Sequence, residues 1–256
     1  MNIIDAHVNI THDGTWGNAG ENASLTQLIS EMEKASADKA LLISLPGATT
    51  NKYIASVIKK HPDKFQGVGH LDFSREDLTK QVDELISMGF SGIKVHPRFQ
   101  GINLNHPHFD HLWVHLDSKK TILLVDGYYQ LNNSYMPIQH LFPLAYERNL
   151  LKHKNVTFIL AHAGFHKVMD ALFLCANFPN FYCDISYSIN LIENLSCYND
   201  YRYLIDQCDQ KVLFGSDFPE YSISTSKKAF LKLAKGLDNS KIENILKLNA
   251  QKLFWK

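Results

Sequence analysis

The chain has 256 residues, room for one large domain with a full core or two small ones. Its 26 basic and 26 acidic residues cancel, which leaves no basic excess for nucleic acid and no polybasic run for a membrane surface. No stretch approaches the ~18 apolar residues of a membrane span. The opening MNIIDAHVNI has no long apolar run, so no signal peptide is expected. The four cysteines, Cys175, Cys183, Cys197 and Cys208, lack CxxC spacing. They read as reduced thiols of a cytoplasmic protein, not a disulfide framework or a zinc knuckle.

Short apolar runs alternate with longer amphipathic segments. In chain order the runs are Ile3 to Val8, Lys39 to Leu45, Phe65 to Leu71, Gly92 to Val95, Thr121 to Val125, Val156 to Ala161, Phe181 to Ile185 and Lys211 to Phe214. Most are rich in Ile, Leu, Val and Phe without clean alternation, as in strands buried on both faces of a parallel sheet. Between them lie helix candidates. Ser24 and Gln27 have capping-box spacing, and Leu25, Leu28, Ile29 and Met32 fall on one helical face. Tyr53 to Lys60 and Leu78 to Met88 follow, with Gly89 a natural carboxyl cap. Phe109 to Leu116, Leu144 to Leu151, Lys167 to Ala176, Tyr201 to Gln207 and Lys227 to Leu237 complete the connections, and Ile242 to Phe254 is a terminal helix. No linker or low-complexity tract interrupts the pattern. The expectation is a single α/β domain over residues 1–256, a (β/α)8 TIM barrel. The competing fold, an open doubly wound sheet, usually carries a GxGxxG loop after its first strand; Asp5-Ala6-His7-Val8-Asn9 stands there instead.

In a barrel the carboxyl ends of the strands converge on one rim. The runs deliver Asp5, His7 and Asn9 from the first, His70 from the third, Lys94 and His96 from the fourth and Asp126 from the fifth. His162 comes from the sixth, Asp184 and Ser186 from the seventh, and Asp217 from the eighth, just before Pro219 breaks the backbone. A lone histidine at a strand end is ordinarily a hydrogen-bonded core residue, and Asp217 alone could simply cap the next turn. Gathered at one mouth, these imidazoles and carboxylates are the ligand types of a divalent metal such as zinc. Lys94 has three readings: an anchor for a substrate carboxylate, a partner for Asp126, or a side chain reaching to solvent. Tyr128, Tyr129, Tyr135 and Met136, and Thr15 to Gly20, are candidates for substrate-covering loops, with ordinary loop packing as the alternative.

Asp5-Ala6-His7, Gly92-Ile93-Lys94-Val95-His96-Pro97, Ala161-His162-Ala163-Gly164 and Phe214-Gly215-Ser216-Asp217-Phe218-Pro219 together resemble the amidohydrolase superfamily, in its amidohydrolase-related branch. His61 to Phe65 and Ile245 to Phe254 resemble it too, so the likeness spans nearly the whole chain. It implies a barrel with one metal at its mouth, held by an HxH on the first strand, a histidine after the fifth and an aspartate after the eighth. His7, His162 and Asp217 match family positions. Asn9 replaces the second histidine of the HxH, and Asp126 replaces the fifth-strand histidine.

The implied metal ligands are therefore His7, Asn9, Asp126, His162 and Asp217, holding one divalent ion, zinc first and manganese second, or none. The implied activity is hydrolysis of a small polar lactone, amide or ester, with Asp217 as general base and His162 and Lys94 polarising the carbonyl. His70, His96 and Tyr128 are expected to touch substrate. The alternatives are a non-oxidative decarboxylase and a barrel that only binds ligand. The expected partner is a small molecule, with no nucleic acid and no membrane, and barrels of this kind often pair as homodimers.

Overall fold

In a computed structural model, residues 2–17, 20–128 and 138–255 are described. Eight parallel strands follow in chain order: β1 (Ile3–Val8), β2 (Ala37–Ile43), β3 (Phe65–His70), β4 (Gly92–Val95), β5 (Ile122–Val125), β6 (Thr157–Leu160), β7 (Phe181–Asp184) and β8 (Val212–Leu213). The ring closes between β8 and β1. Ala6 N donates to Phe214 O (2.9 Å), Asp217 N to His7 O (2.9 Å) and Asn9 N to Phe218 O (2.7 Å). With helices between the strands, this is the expected TIM barrel.

The barrel has two apolar layers. Ile3, Val8, Leu42, Ile93, Leu123, Phe158, Phe181 and Phe214 pack outward under the helices. Ile4, Leu41, Val68, Leu124, Ile159 and Leu213 point inward. This period-2 alternation was invisible in the apolar runs because both faces are buried. Ala250 and Phe254 of the last helix join the inner layer beside Ile4 and Leu41, so that helix caps the end opposite the mouth.

Strand β1 is irregular, with register shifts against β2 between Asp5 and Val8. Upstream of the shift Ile4 and Ala6 face inward; downstream Val8 and Ile10 pack outward while His7 and Asn9 line the mouth. A bulge that re-aims side chains next to a functional site is a common use of such a defect.

Most elements sit within two residues of expectation, and the differences have local causes. The helix Asn51–Lys60 starts early because the Thr50 side chain caps it at Tyr53 N. The helix Leu25–Ala35 has half a capping box: Ser24 Oγ accepts from Gln27 N (3.2 Å), but Ser24 N donates to Asn22 Oδ1 instead (3.0 Å). The segment around Leu144 is a 3-10 turn, Pro143–Tyr146, before the helix Glu147–Lys152. The expected terminal helix is broken by a π turn, Asn244–Leu248. There Ile245 O accepts from Phe214 N (3.0 Å), drawing a helix carbonyl to the end of β8.

Candidate active site

His7 is buried, and its Nδ1 lies 3.0 Å from Asp184 Oδ2. Burial alone would raise the Asp184 pKa; the charges and hydrogen bonds of His7, His162 and Ser186 overcome this and hold it well below the usual carboxylate range. His7 Nε2 faces Asp217 Oδ1 across the mouth, 3.4 Å away. Asn9 Nδ2 donates to the same Asp217 oxygen (3.1 Å) and to Phe218 O (3.3 Å). Both partners are acceptors, which fixes the amide with its NH2 group inward.

His162 is the centre of a second network. Its Nδ1 is 2.9 Å from Ser186 O and its Nε2 is 3.3 Å from Asp126 Oδ2. A carbonyl and a carboxylate both accept, so both ring nitrogens carry protons and the ring is an imidazolium. The electrostatics agree. Burial would lower the pKa, but Asp126, with Asp217 and Asp184 behind it, raises it to about 9. Asp126 Oδ2 also faces His96 Nε2 (3.1 Å) and Lys94 Nζ (3.7 Å). Burial would raise the Asp126 pKa; His96, Lys94 and His162 hold it well below the usual range instead. Burial, with Lys94, Arg98 and His162 nearby, lowers His96 to about 3 despite Asp126, so His96 is neutral.

The backbone is shaped to present these groups. From His162 to Phe165 every residue has positive φ, three of the four lacking the glycine that tolerates it. Asp217 (φ 65°) and Tyr187 (φ 57°) share the feature. Non-glycine residues in this region cost ~1–2 kcal/mol each and cluster at functional sites. The His162 carbonyl is held by Ser188 Oγ (2.6 Å) and Tyr201 OH (2.9 Å).

The cleft over these groups encloses about 600 Å³ of empty space, with the open solvent at its mouth included. Every expected site residue but one lines it: His7, Asn9, Lys94, His96, Asp126, Tyr128, His162 and Asp217. The exception is His70. Its Nδ1 bonds Ser44 Oγ (2.8 Å), and it borders a separate groove beside Pro46 and Phe73, apart from the other eight. Lys94 does not reach to solvent; it is 1% exposed. Trp16 lines the cleft and donates from Nε1 to Glu220 Oε1 (2.8 Å). Tyr129, Tyr135 and Met136, and residues 18 and 19 of the other loop, lie outside the described residues.

Sequence reasoning placed Asp184 at a strand end but gave it no role. It accepts from His7, from His162 N and from Ser186 N, and Ser186 Oγ donates to it as well. Its position inside the FYCD strand, where an acid interrupts an apolar run, was the available signal. Arg98, buried at 6% exposure on the four-residue helix after β4, was missed for want of any motif.

His7, His162 and Asp184 form a group whose ligand atoms lie within 4.8 Å of one another. The implied donor set does not fit a zinc centre as it stands. Asn9 presents N–H groups, His162 has no bare nitrogen, and Asp184 and Asp126 are already enclosed by donors. His7 Nε2 and an Asp217 oxygen are what remain, where a catalytic zinc takes three protein ligands.

The chain matches the Amidohydrolase family model over residues 4–255 and belongs to that family of enzymes. No curated protein matches it. Among solved structures it is similar to an uncharacterized TIM-barrel protein from Bordetella bronchiseptica, with TM-score 0.82 and 18% identity over 99% of this chain and 98% of that one. A probable 2-pyrone-4,6-dicarboxylic acid hydrolase from Acinetobacter baumannii, with citric acid bound, gives TM-score 0.73 and 17% identity over 99% of each chain. A 2,6-dihydroxybenzoate decarboxylase from Rhizobium gives 0.71 and 15%, over 99% of this chain and 98% of that one. At these identities the likeness is one of fold. No helix among the described residues is long and apolar enough to cross a membrane.

Proposed function

We propose that the protein hydrolyses a small polar lactone, ester or amide at the barrel mouth, with its own side chains activating the water. One observation carries this reading: His7 Nε2 and the Asp217 carboxylate stand 3.4 Å apart on a cleft that also holds a buried imidazolium. The Asp217 carboxylate can accept a hydrogen of a water that His7 helps to orient. Asp217 takes a proton as the water oxygen attacks the carbonyl carbon, then gives it to the departing oxygen or nitrogen as the C–O or C–N bond breaks. Asp184 fixes the His7 orientation.

The His162 imidazolium contributes fixed positive charge beneath the developing oxyanion. Lys94 supplies a donor, because its Nζ has no hydrogen-bond partner among the described residues. The 2-pyrone-4,6-dicarboxylic acid hydrolase on the same fold supports hydrolysis as the class of reaction. The rival ion, zinc before manganese, would sit at His7 and Asp217 and must displace these hydrogen bonds.

The test is a screen of lactones, esters and amides with chelator-treated enzyme in ¹⁸O-labelled water. Hydrolysis with one labelled oxygen in the product acid is expected, without added metal. Asp217→Asn is expected to lower kcat by about 10²-fold or more with Tm unchanged. Unchanged turnover removes Asp217 from the mechanism, and turnover only after Zn²⁺ or Mn²⁺ is restored returns the metal to it.

A decarboxylase is the second reading. The 2,6-dihydroxybenzoate decarboxylase on this fold and the proton carried by His162, an acid able to protonate carbon, favour it. Stoichiometric CO2 release without label uptake selects it.

A further inference from the structure

Three aromatic rings and two carboxylates line the cleft together: Trp16 from the loop after β1, Tyr128 after β5, Tyr187 after β7, and Asp217 and Glu220 after β8. Strands β7, β8 and β1 are neighbours in the ring, and Tyr128 joins them by contact: its ring lies 4.8 Å from that of Tyr187, at 71°. Tyr221 stands against Tyr187 at 5.5 Å and 61°. Rings set at steep angles form the corner of a box, whereas a flat molecule fills a slot between parallel faces. Trp16 Nε1 donates to Glu220 Oε1 (2.8 Å), and no lysine or arginine pairs with Glu220 or Asp217 among the described residues. The His162 imidazolium lies 6.1 Å from the Tyr128 ring and 6.0 Å from the Tyr187 ring, but Asp126 pairs with it. What remains is a half-buried aromatic corner beside two carboxylates that have no cation of their own.

We infer that this corner is a cation subsite, the place where an ammonium group of the substrate binds. The reading rests on the hydrolytic site described above and names its substrate class: a small ester, lactone or amide that carries an alkylammonium. Its reactive carbonyl lies toward Lys94 and His162, and its cation toward Tyr187 and Glu220. The faces of Trp and Tyr rings attract a cation within about 6 Å of the ring centroid, and a nearby carboxylate adds to the attraction. An N-methylated ammonium fits best, because it is weakly hydrated and is held by ring faces and charge, with no need of a full set of hydrogen-bond acceptors. Tyr187, at the middle of the corner, keeps its positive φ of 57°, the kind of strain that persists at ligand clamps.

Equilibrium binding tests this without turnover, so a failed activity screen and a failed subsite give different results. Choline, the uncharged alcohol with carbon in place of its nitrogen, and the flat neutral ring phenol are titrated by NMR at low salt. The proteins are the wild type, Glu220→Gln, Tyr187→Phe and Tyr187→Leu. Choline is expected to shift the Trp16 and Tyr187 resonances and to bind about tenfold more tightly than the uncharged alcohol. Glu220→Gln keeps an acceptor for the Trp16 N–H and removes the charge; it should weaken choline about threefold or more and leave the alcohol unchanged. Tyr187→Leu should weaken choline about tenfold, while Tyr187→Phe, which keeps the ring, should stay within about twofold of the wild type. The inference is overturned if choline does not bind, if the uncharged alcohol binds as tightly, or if Glu220→Gln binds choline as the wild type does. It is overturned equally if phenol binds in preference, which would make the corner a pocket for a flat neutral ring.

Discussion

His162 sets the character of the site at the scale of single residues. Its two ring nitrogens face acceptors from different strand ends, and that pairing favours the charged form. Its pKa is raised from 6.5 to about 9, so the stabilisation from its pairing is fully present below 6.5 and lost as pH rises through about 9. Activity that uses this charge should fall on the same alkaline limb. Asp126→Asn removes the main source of the shift. The variant is expected to lose about 3 kcal/mol or more of stability, as when one partner of a buried pair is deleted. The alkaline limb of kcat/KM should move toward neutral pH. A limb that stays near the wild-type position in Asp126→Asn would separate His162 from the activity. The substituted family positions have a consistent explanation here: Asn9 donates to Asp217, and Asp126 serves as counter-ion to His162 and Lys94.

At the scale of elements, the site depends on how closely the end of β8 approaches β1 and the turn after β7. Gly215 is the contact point. A Cβ there would meet Ser186 Cβ at 2.8 Å and His7 Cβ at 2.9 Å, closer than real side chains come. Gly215→Ala should cost ~1–3 kcal/mol in stability and lower kcat by displacing His7. Ser24→Ala is the contrast: it removes the side-chain cap of the helix Leu25–Ala35, far from the chemistry, and should cost ~1 kcal/mol with kcat unchanged. Equal loss of activity in both, measured by thermal unfolding and initial rates, would make the Gly215 effect one of general stability. The Gly-Ser-Asp turn was visible in the sequence as a strand running into a break. The β1 register shift was not, because nothing in Ile3–Val8 marks where alternation slips.

At the scale of the whole molecule, the sequence was informative wherever one physical signal sufficed. Apolar runs spaced by amphipathic segments specified eight strands and the closed ring, and the strand-end rule collected His7, Lys94, Asp126, His162 and Asp217 at one rim. What escaped it depends on three-dimensional pairing. Asp184 reads like any buried acid until its two oxygens are seen between His7 and His162. His70 follows the same strand-end rule yet turns to Ser44.

The central claim is that a protonated imidazole, held between Asp126 and Ser186, supplies the positive charge at this barrel mouth. The direct measurement is the ¹⁵N NMR spectrum of the His162 ring in protein purified without chelator, followed through a pH titration. Both ring nitrogens should be protonated at neutral pH and titrate near 9. A single bare nitrogen at neutral pH, or a ring nitrogen coordinated to a bound metal ion, would contradict the account.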